Sequence, residues 1–190
     1  MGQDETVYHV DAKDREIGRV LRSEAHLDAL YHRAAHVWLL TGSGRLILQQ
    51  RSRDKAVAPG RWTSTASGHV KYGSTYDETA AEELWEEAGL RGVRLRQLGK
   101  RVLVGFSEDG REVCRGWTAV YAGRCPVDVA QLRPQAGEVA RFQAFAIDDV
   151  AAALRGESVL RDDAGAPVLF STTFATAMST YAEDLGSVQE

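Results

Sequence analysis

The chain has 190 residues, 44% of them hydrophobic and 26% charged, which is enough for one well-buried core and short for two full domains. Its 23 Lys and Arg are outweighed by 27 Asp and Glu, and a net charge of -4 offers no global basic field to nucleic acid or an anionic membrane. Two cysteines, Cys114 and Cys125, and a start lacking a basic-then-apolar pattern argue against a disulfide framework or signal peptide and predict a cytoplasmic protein; no apolar run approaches the roughly 20 residues that span a bilayer.

Val7 to Asp11 and Ile17 to Leu21 flank a charged turn and predict a hairpin within residues 5–22. Ser23 to Ala29 reads as a polar, His-bearing connection. The apolar run His32 to Leu40 ends at Thr41-Gly-Ser-Gly-Arg45 and leads into Leu46 to Arg51, a second hairpin. Ser52 to Trp62 is basic, contains Pro59-Gly60 and reads as a loop, and Thr63 to Val70 returns as an extended segment. Thr75 and Glu78 form a capping-box pair, and Gly89 stands where a left-handed C-cap belongs, so the helix between them covers Tyr76 to Ala88. Arg94 to Gly105, Glu112 to Ala122 and Phe142 to Ile147 alternate as strands, while Asp148 to Arg155 and about 170–185 are helical. This irregular order of strands and helices favours an α/β or α+β sandwich over a doubly wound sheet.

The helix Tyr76 to Ala88 is sharply amphipathic. Ala80, Ala81, Leu84 and Ala88 fall on one side, and Glu78, Glu82, Glu83, Glu86 and Glu87 cover the other. With no cation on that face, its like-charged i,i+4 pairs are each unfavourable by roughly 0.2–0.5 kcal/mol. Glu86 and Glu87 also oppose the helix dipole in the last turn. A divalent cation with hard oxygen ligands would relieve both penalties; a solvated acidic face is the alternative.

The helix follows a glycine-containing loop, and Gly68, Glu83, Leu84, Glu86, Glu87, Gly89 and Leu90 stand in a spacing that resembles the Nudix box. The family pattern has a further Glu where this chain has Ser74 and an Arg where it has Glu82. The resemblance covers about residues 30–155 and leans toward the subgroup that includes isopentenyl diphosphate isomerase, through Leu48 to Lys55, Pro59 to Thr63 and Ser67 to His69.

The resemblance implies a single Nudix domain over 1–190, an α/β/α sandwich with a mixed sheet preceded by the N-terminal hairpin. It further implies Mg2+ or Mn2+ held by Glu83, Glu86, Glu87 and the Gly68 carbonyl. Glu138, in Gly137 to Phe142, matches a further ligand or general base, which makes Glu86, Glu87 and Glu138 the catalytic carboxylates. Similarity to the isomerase implies diphosphate recognition by Arg51 and Lys55, with Arg53 and Lys71 as additional cations, and metal ligation by His32, His69 and Glu112. His26 is off by one in spacing. The isomerase has a proton-transferring cysteine where this chain has Ser67, whose hydroxyl is a poor substitute, so isomerisation is not expected.

The expected reaction is therefore hydrolysis of a diphosphate linkage in a nucleoside diphosphate derivative or related organic pyrophosphate, with no nucleic-acid or membrane partner. Ser74 and Glu82 leave a second reading, a module that binds a diphosphate metabolite without cleaving it. His9 and His36 read as satisfied strand or core histidines, Cys114 and Cys125 as buried small hydrophobes, and Trp38, Trp62, Trp85 and Trp117 as core.

Overall fold

The structure, a computed structural model, describes residues 4–55, 57–106, 110 and 112–188. Strands β1 (Thr6–Val10) and β2 (Glu16–Leu21) form the N-terminal hairpin, with Thr6 opposite Leu21. The segment read as a connection is instead a short helix, α1 (Arg22–Leu27). Local sequence hides it because its caps are supplied from outside: Asp4 accepts from the amide and hydroxyl of Ser23, and the Glu5 carbonyl accepts from the Arg22 amide at 2.8 Å.

The centre of the molecule is β3 (Tyr31–Leu40), buried at nearly every position as suits a strand covered on both faces. It pairs in parallel with β8 (Glu112–Arg124) along its whole length and antiparallel with β6 (Ala66–His69). The hairpin read between β3 and β4 (Leu46–Arg51) is paired only at its root, Leu39 with Ile47 and Leu40 with Leu46. Beyond that root β3 turns to β6, while β4 pairs with β5 (Trp62–Thr63) and β9 (Val139–Phe145). With β7 (Leu95–Phe106) against β8, the described residues form one mixed sheet.

Alternate residues of β3 feed two cores, as a period of two requires. Ala35, Val37 and Leu39 pack with Ala80, Leu84 and Ala88 of α2 (Tyr76–Ala88). Trp38 and Leu40 point the other way, toward Val150 of α3 (Ile147–Leu154) and Phe174, Ala177 and Met178 of α4 (Thr172–Tyr181). The result is a helix layer on each side of a mixed sheet.

The start of α2 is fixed twice. Thr75 and Glu78 close the expected capping box, the Glu78 carboxylate accepting from the Thr75 amide at 2.8 Å, and Gly89 ends the helix at φ 73°. Asp14, from the N-terminal hairpin, accepts from Arg33 at 2.7 Å and from the Tyr76 hydroxyl at 3.1 Å, and also pairs with Lys100. That buried carboxylate ties β3, α2 and β7 together, so the acidic end of the helix has a fixed position over β6.

Candidate functional site

The wall of the site is the last two turns of α2 laid over β6. Its acidic residues do not share one solvated face, as the helical wheel implies. Glu87 is buried, Glu83 is half-buried, and Glu78, Glu82 and Glu86 remain exposed. Ala81 and Trp85, expected to be covered, are exposed instead; Trp85 carries the Arg91 guanidinium on its ring at 3.9 Å. The helix is rotated so that its acidic C-terminal end enters the sheet where small residues leave room.

Gly68 supplies that room. A Cβ at this position would stand 1.9 Å from Oε1 of Glu83, so the carboxylate lies where any other side chain would begin. Glu87 reaches deeper. Its Oε2 accepts from the Ser67 amide at 2.8 Å and from Nε2 of Gln49 at 2.7 Å. The same Gln49 nitrogen donates to the Thr65 carbonyl at 3.3 Å, so two acceptors orient the amide. Sequence reasoning missed Gln49; its place on β4 opposite Thr63 shows only once the sheet is assembled.

These carboxylates repel one another in a dry place. Burial, together with Glu87 and Glu86, pushes the Glu83 pKa up to about 8. Burial pushes Glu87 up to about 7 even though Ser67, Gln49 and Arg51 favour its charged form. Glu86 lines the cleft beside them.

Across a cleft of about 610 Å³ stand Arg51, Lys55, Arg61 and Glu138. The Arg51 guanidinium donates to the Val57 carbonyl at 3.0 Å, which holds it at the base of the loop following β4. Lys55 and Glu138, read separately as a diphosphate contact and a base, are paired with each other. Leu103, Phe106 and Phe170 form an apolar side of the same cleft.

Two of the four expected cations lie elsewhere. Arg53 is exposed and lines no part of the cleft. Lys71 reaches Glu82 at 3.4 Å and Glu5 at 3.9 Å. Burial opposes its charge, but Glu82 and Glu86 outweigh it and hold the ammonium pKa above its ordinary value. Lys71 thus supplies the cation that the acidic face lacks in its own helix.

The histidines assemble differently from the expected set. His32 and His69 do come together, but with His26, which the spacing rejected, and with Cys114, which is half-buried and lies 3.5 Å from His32 rather than acting as a plain core hydrophobe. The ring nitrogens of His26 and His69 are 2.9 Å apart. The side chain of Glu112 lies outside the described residues. His36 is a satisfied core histidine: Trp38 donates to the Ser64 hydroxyl at 3.1 Å, and Ser64 bonds Nδ1 of His36 at 3.0 Å. Cys125, Trp38 and Trp62 are buried as expected, whereas Trp117 is half-buried with its indole N–H on the Asp11 carbonyl.

A family model for the NUDIX domain matches residues 30–162. The chain belongs to the Nudix family. It is 38% identical over 140 residues to an uncharacterized Nudix hydrolase of Pseudomonas aeruginosa, covering 73% of this chain and 78% of that protein. An isopentenyl-diphosphate Delta-isomerase of Serratia proteamaculans is 37% identical over 86 residues, 45% of this chain and 48% of the isomerase, and one of Klebsiella pneumoniae is 28% identical over 160 residues, 79% of this chain and 80% of that protein. The crystal structure of DR0079 from Deinococcus radiodurans superposes with a TM-score of 0.64 at 20% identity, over 85% of this chain and 95% of that one, and shares the Nudix fold. Among the described residues no helix is long and apolar enough to cross a membrane.

Proposed function

We propose that this Nudix protein is a Mg2+- or Mn2+-dependent hydrolase that cleaves a diphosphate linkage in a nucleoside diphosphate derivative or a related organic pyrophosphate. The observation that carries this reading is the convergence of Gly68, Glu83, Glu86 and Glu87 on one side of a cleft with Arg51, Lys55 and Glu138 on the other.

The residues fit a hard divalent cation. Three carboxylates lie within two helical turns, and two are buried enough to resist ionisation on their own, an arrangement that bound positive charge stabilises. Glu83, Glu86, Glu87 and the Gly68 carbonyl would hold the ion. When bound, it would neutralise phosphate oxygens and acidify the attacking water.

The chain's own groups supply the rest. The planar fork of Arg51 and the mobile ammonium of Lys55 suit the non-bridging oxygens of a diphosphate. Once a diphosphate competes for Lys55, Glu138 is released from its ion pair and can take the proton of water, as can Glu86 on the facing wall. Water attacks phosphorus, the bond to the bridging oxygen breaks, and two phosphate-bearing products leave. Isomerisation fits less well, because Ser67 stands at the position of the isomerase's cysteine and its amide serves Glu87.

The test is product formation with Mg2+ or Mn2+ across nucleoside diphosphate sugars, dinucleoside polyphosphates, nucleotides and isoprenoid diphosphates, beside Glu86→Gln. Metal-dependent cleavage that falls by at least about a hundredfold in the variant supports the reading. Full activity in Glu86→Gln refutes the ligand assignment, and thermal stabilisation by one compound without cleavage favours a binding module instead.

A further inference from the structure

The bond to Ser64 satisfies one ring nitrogen of His36 and leaves the other to the cleft. Although His36 is buried in β3, it lines the cleft, and its Nε2 makes no hydrogen bond among the described residues. Nδ1 meets the Ser64 hydroxyl at 3.0 Å, and that fully buried hydroxyl already accepts from the Trp38 indole at 3.1 Å. An indole nitrogen can only donate, and a hydroxyl has a single hydrogen to place. If Nδ1 were protonated, Ser64 would accept twice and its own hydrogen would be buried with no acceptor among the described residues. The chain of bonds therefore runs from Trp38 to Ser64 to Nδ1, and the imidazole hydrogen stands on Nε2, where the cleft begins.

Arg51 lines the same cleft, and burial together with that cation lowers the His36 pKa to about 4 from 6.5, so the ring is neutral near pH 7. A neutral ring donates beside a guanidinium without repelling it. Ser67 stands directly opposite His36 in the antiparallel pairing of β3 with β6, which puts both side chains on one face of the sheet. With a hydrogen on Nε2 and Ser64 on Nδ1, His36 has no lone pair left to take the Ser67 proton. The two residues form a binding wall and not an acid–base couple.

We propose that the Nε2–H of His36 donates to a non-bridging oxygen of the diphosphate engaged by Arg51, which makes His36 a further substrate-binding residue. The inference rests on the reading of the cleft as a diphosphate site. Arg51 supplies charge, and His36 supplies direction, because the bonds from Trp38 and Ser64 fix the ring before the anion arrives and no reorganisation is needed. The donor sits on the sheet, across the cleft from the carboxylates of α2, so it orients the phosphoryl group toward them.

The full chain, labelled with 15N-histidine, is titrated in Mg2+ with methylenediphosphonate, a diphosphate analogue whose bridging carbon resists hydrolysis. The His36 ring, assigned by the resonances lost in His36→Gln, is expected to show the neutral Nε2–H pattern at pH 7, with the Nε2 proton moving downfield on titration. His36→Asn places an amide near Nδ1 and keeps a partner for Ser64 but loses the cleft donor; its diphosphonate affinity, read by thermal stabilisation, should weaken by about 10- to 100-fold. His36→Gln, whose nitrogen reaches the Nε2 position, should recover most of that loss. A hydrogen on Nδ1, wild-type affinity in His36→Asn, or diphosphonate binding with no response at Nε2 overturns the assignment and leaves the hydrolase reading standing. Failure of the wild type to bind the diphosphonate overturns both. The wild-type spectra decide the tautomer and the contact even if a variant does not fold.

Discussion

Oε1 of Glu83 occupies the place where a Cβ on residue 68 would be, 1.9 Å from that ideal position, so the absence of a side chain at Gly68 is what admits the carboxylate to the sheet. Backbone conformation does not demand glycine here, since Gly68 has no positive φ. The constraint is space, and it belongs to the site.

Gly68→Ala therefore displaces Glu83 toward solvent. Mg2+ affinity, read by titration of the protein's thermal stability, is expected to weaken by about 10- to 100-fold. Far-UV circular dichroism should stay that of the wild type. Undiminished Mg2+ affinity would show that Glu83 is not a ligand.

The metal-free protein should be most stable near pH 6.5. Glu83 and Glu87 keep their protons to about pH 8 and about pH 7 in the folded chain against 4.5 ordinarily, so the folded state binds more protons across that interval and stability falls as pH rises. Burial lowers His26 and His36 to about 4 from 6.5 and lowers His32 and His69 as well, so below 6.5 four histidines, which bind fewer protons in the folded state, outweigh the two carboxylates and stability rises with pH. Above 6.5 the histidine contribution fades and the two carboxylates dominate up to about pH 8. Melting temperature in chelator should drop by a few degrees from pH 6.5 to 8.5, and Glu83→Gln should flatten the slope. A level wild-type profile would contradict the burial of these groups.

Gln49→Leu removes a donor from Glu87 and leaves the Ser67 amide. The carboxylate loses stabilisation of its charged form, so the pH at which Mg2+ binding reaches half its maximum should move upward by about one unit. An unchanged midpoint would mean that Gln49 only fills space.

Lys55 and Glu138 should separate kinetically although they touch. Lys55→Met removes a diphosphate contact and is expected to raise KM by about tenfold with a smaller change in kcat. Glu138→Gln removes a proton acceptor and should lower kcat by about a hundredfold. The same change in both parameters for both variants would mean that the pair is purely structural.

The parts of the fold legible in sequence are those that local physics sets. Thr75 with Glu78 and Gly89 mark both ends of α2, and the apolar stretch Val37 to Leu40 in β3 marks a strand covered on both faces. What stayed hidden depends on assembly. Helix α1 takes its caps from Asp4 and Glu5, far away in sequence, and a six-residue helix has no periodicity to read. The inward turn of Glu83 and Glu87 needs the small residue Gly68 on another element, and a helical wheel drawn alone treats every glutamate as solvated. His26 is off by one in spacing and Cys114 reads as a buried hydrophobe, yet α1 and β8 bring them to His32 and His69.

Hydrolysis at phosphorus is the central claim, and turnover of the best substrate in 18O-labelled water with Mg2+ tests it most directly. One labelled oxygen per turnover is expected in one of the two phosphate-bearing products, with label incorporation lost in Glu86→Gln. A rearranged diphosphate carrying no label, or label incorporated equally by the variant, would contradict it.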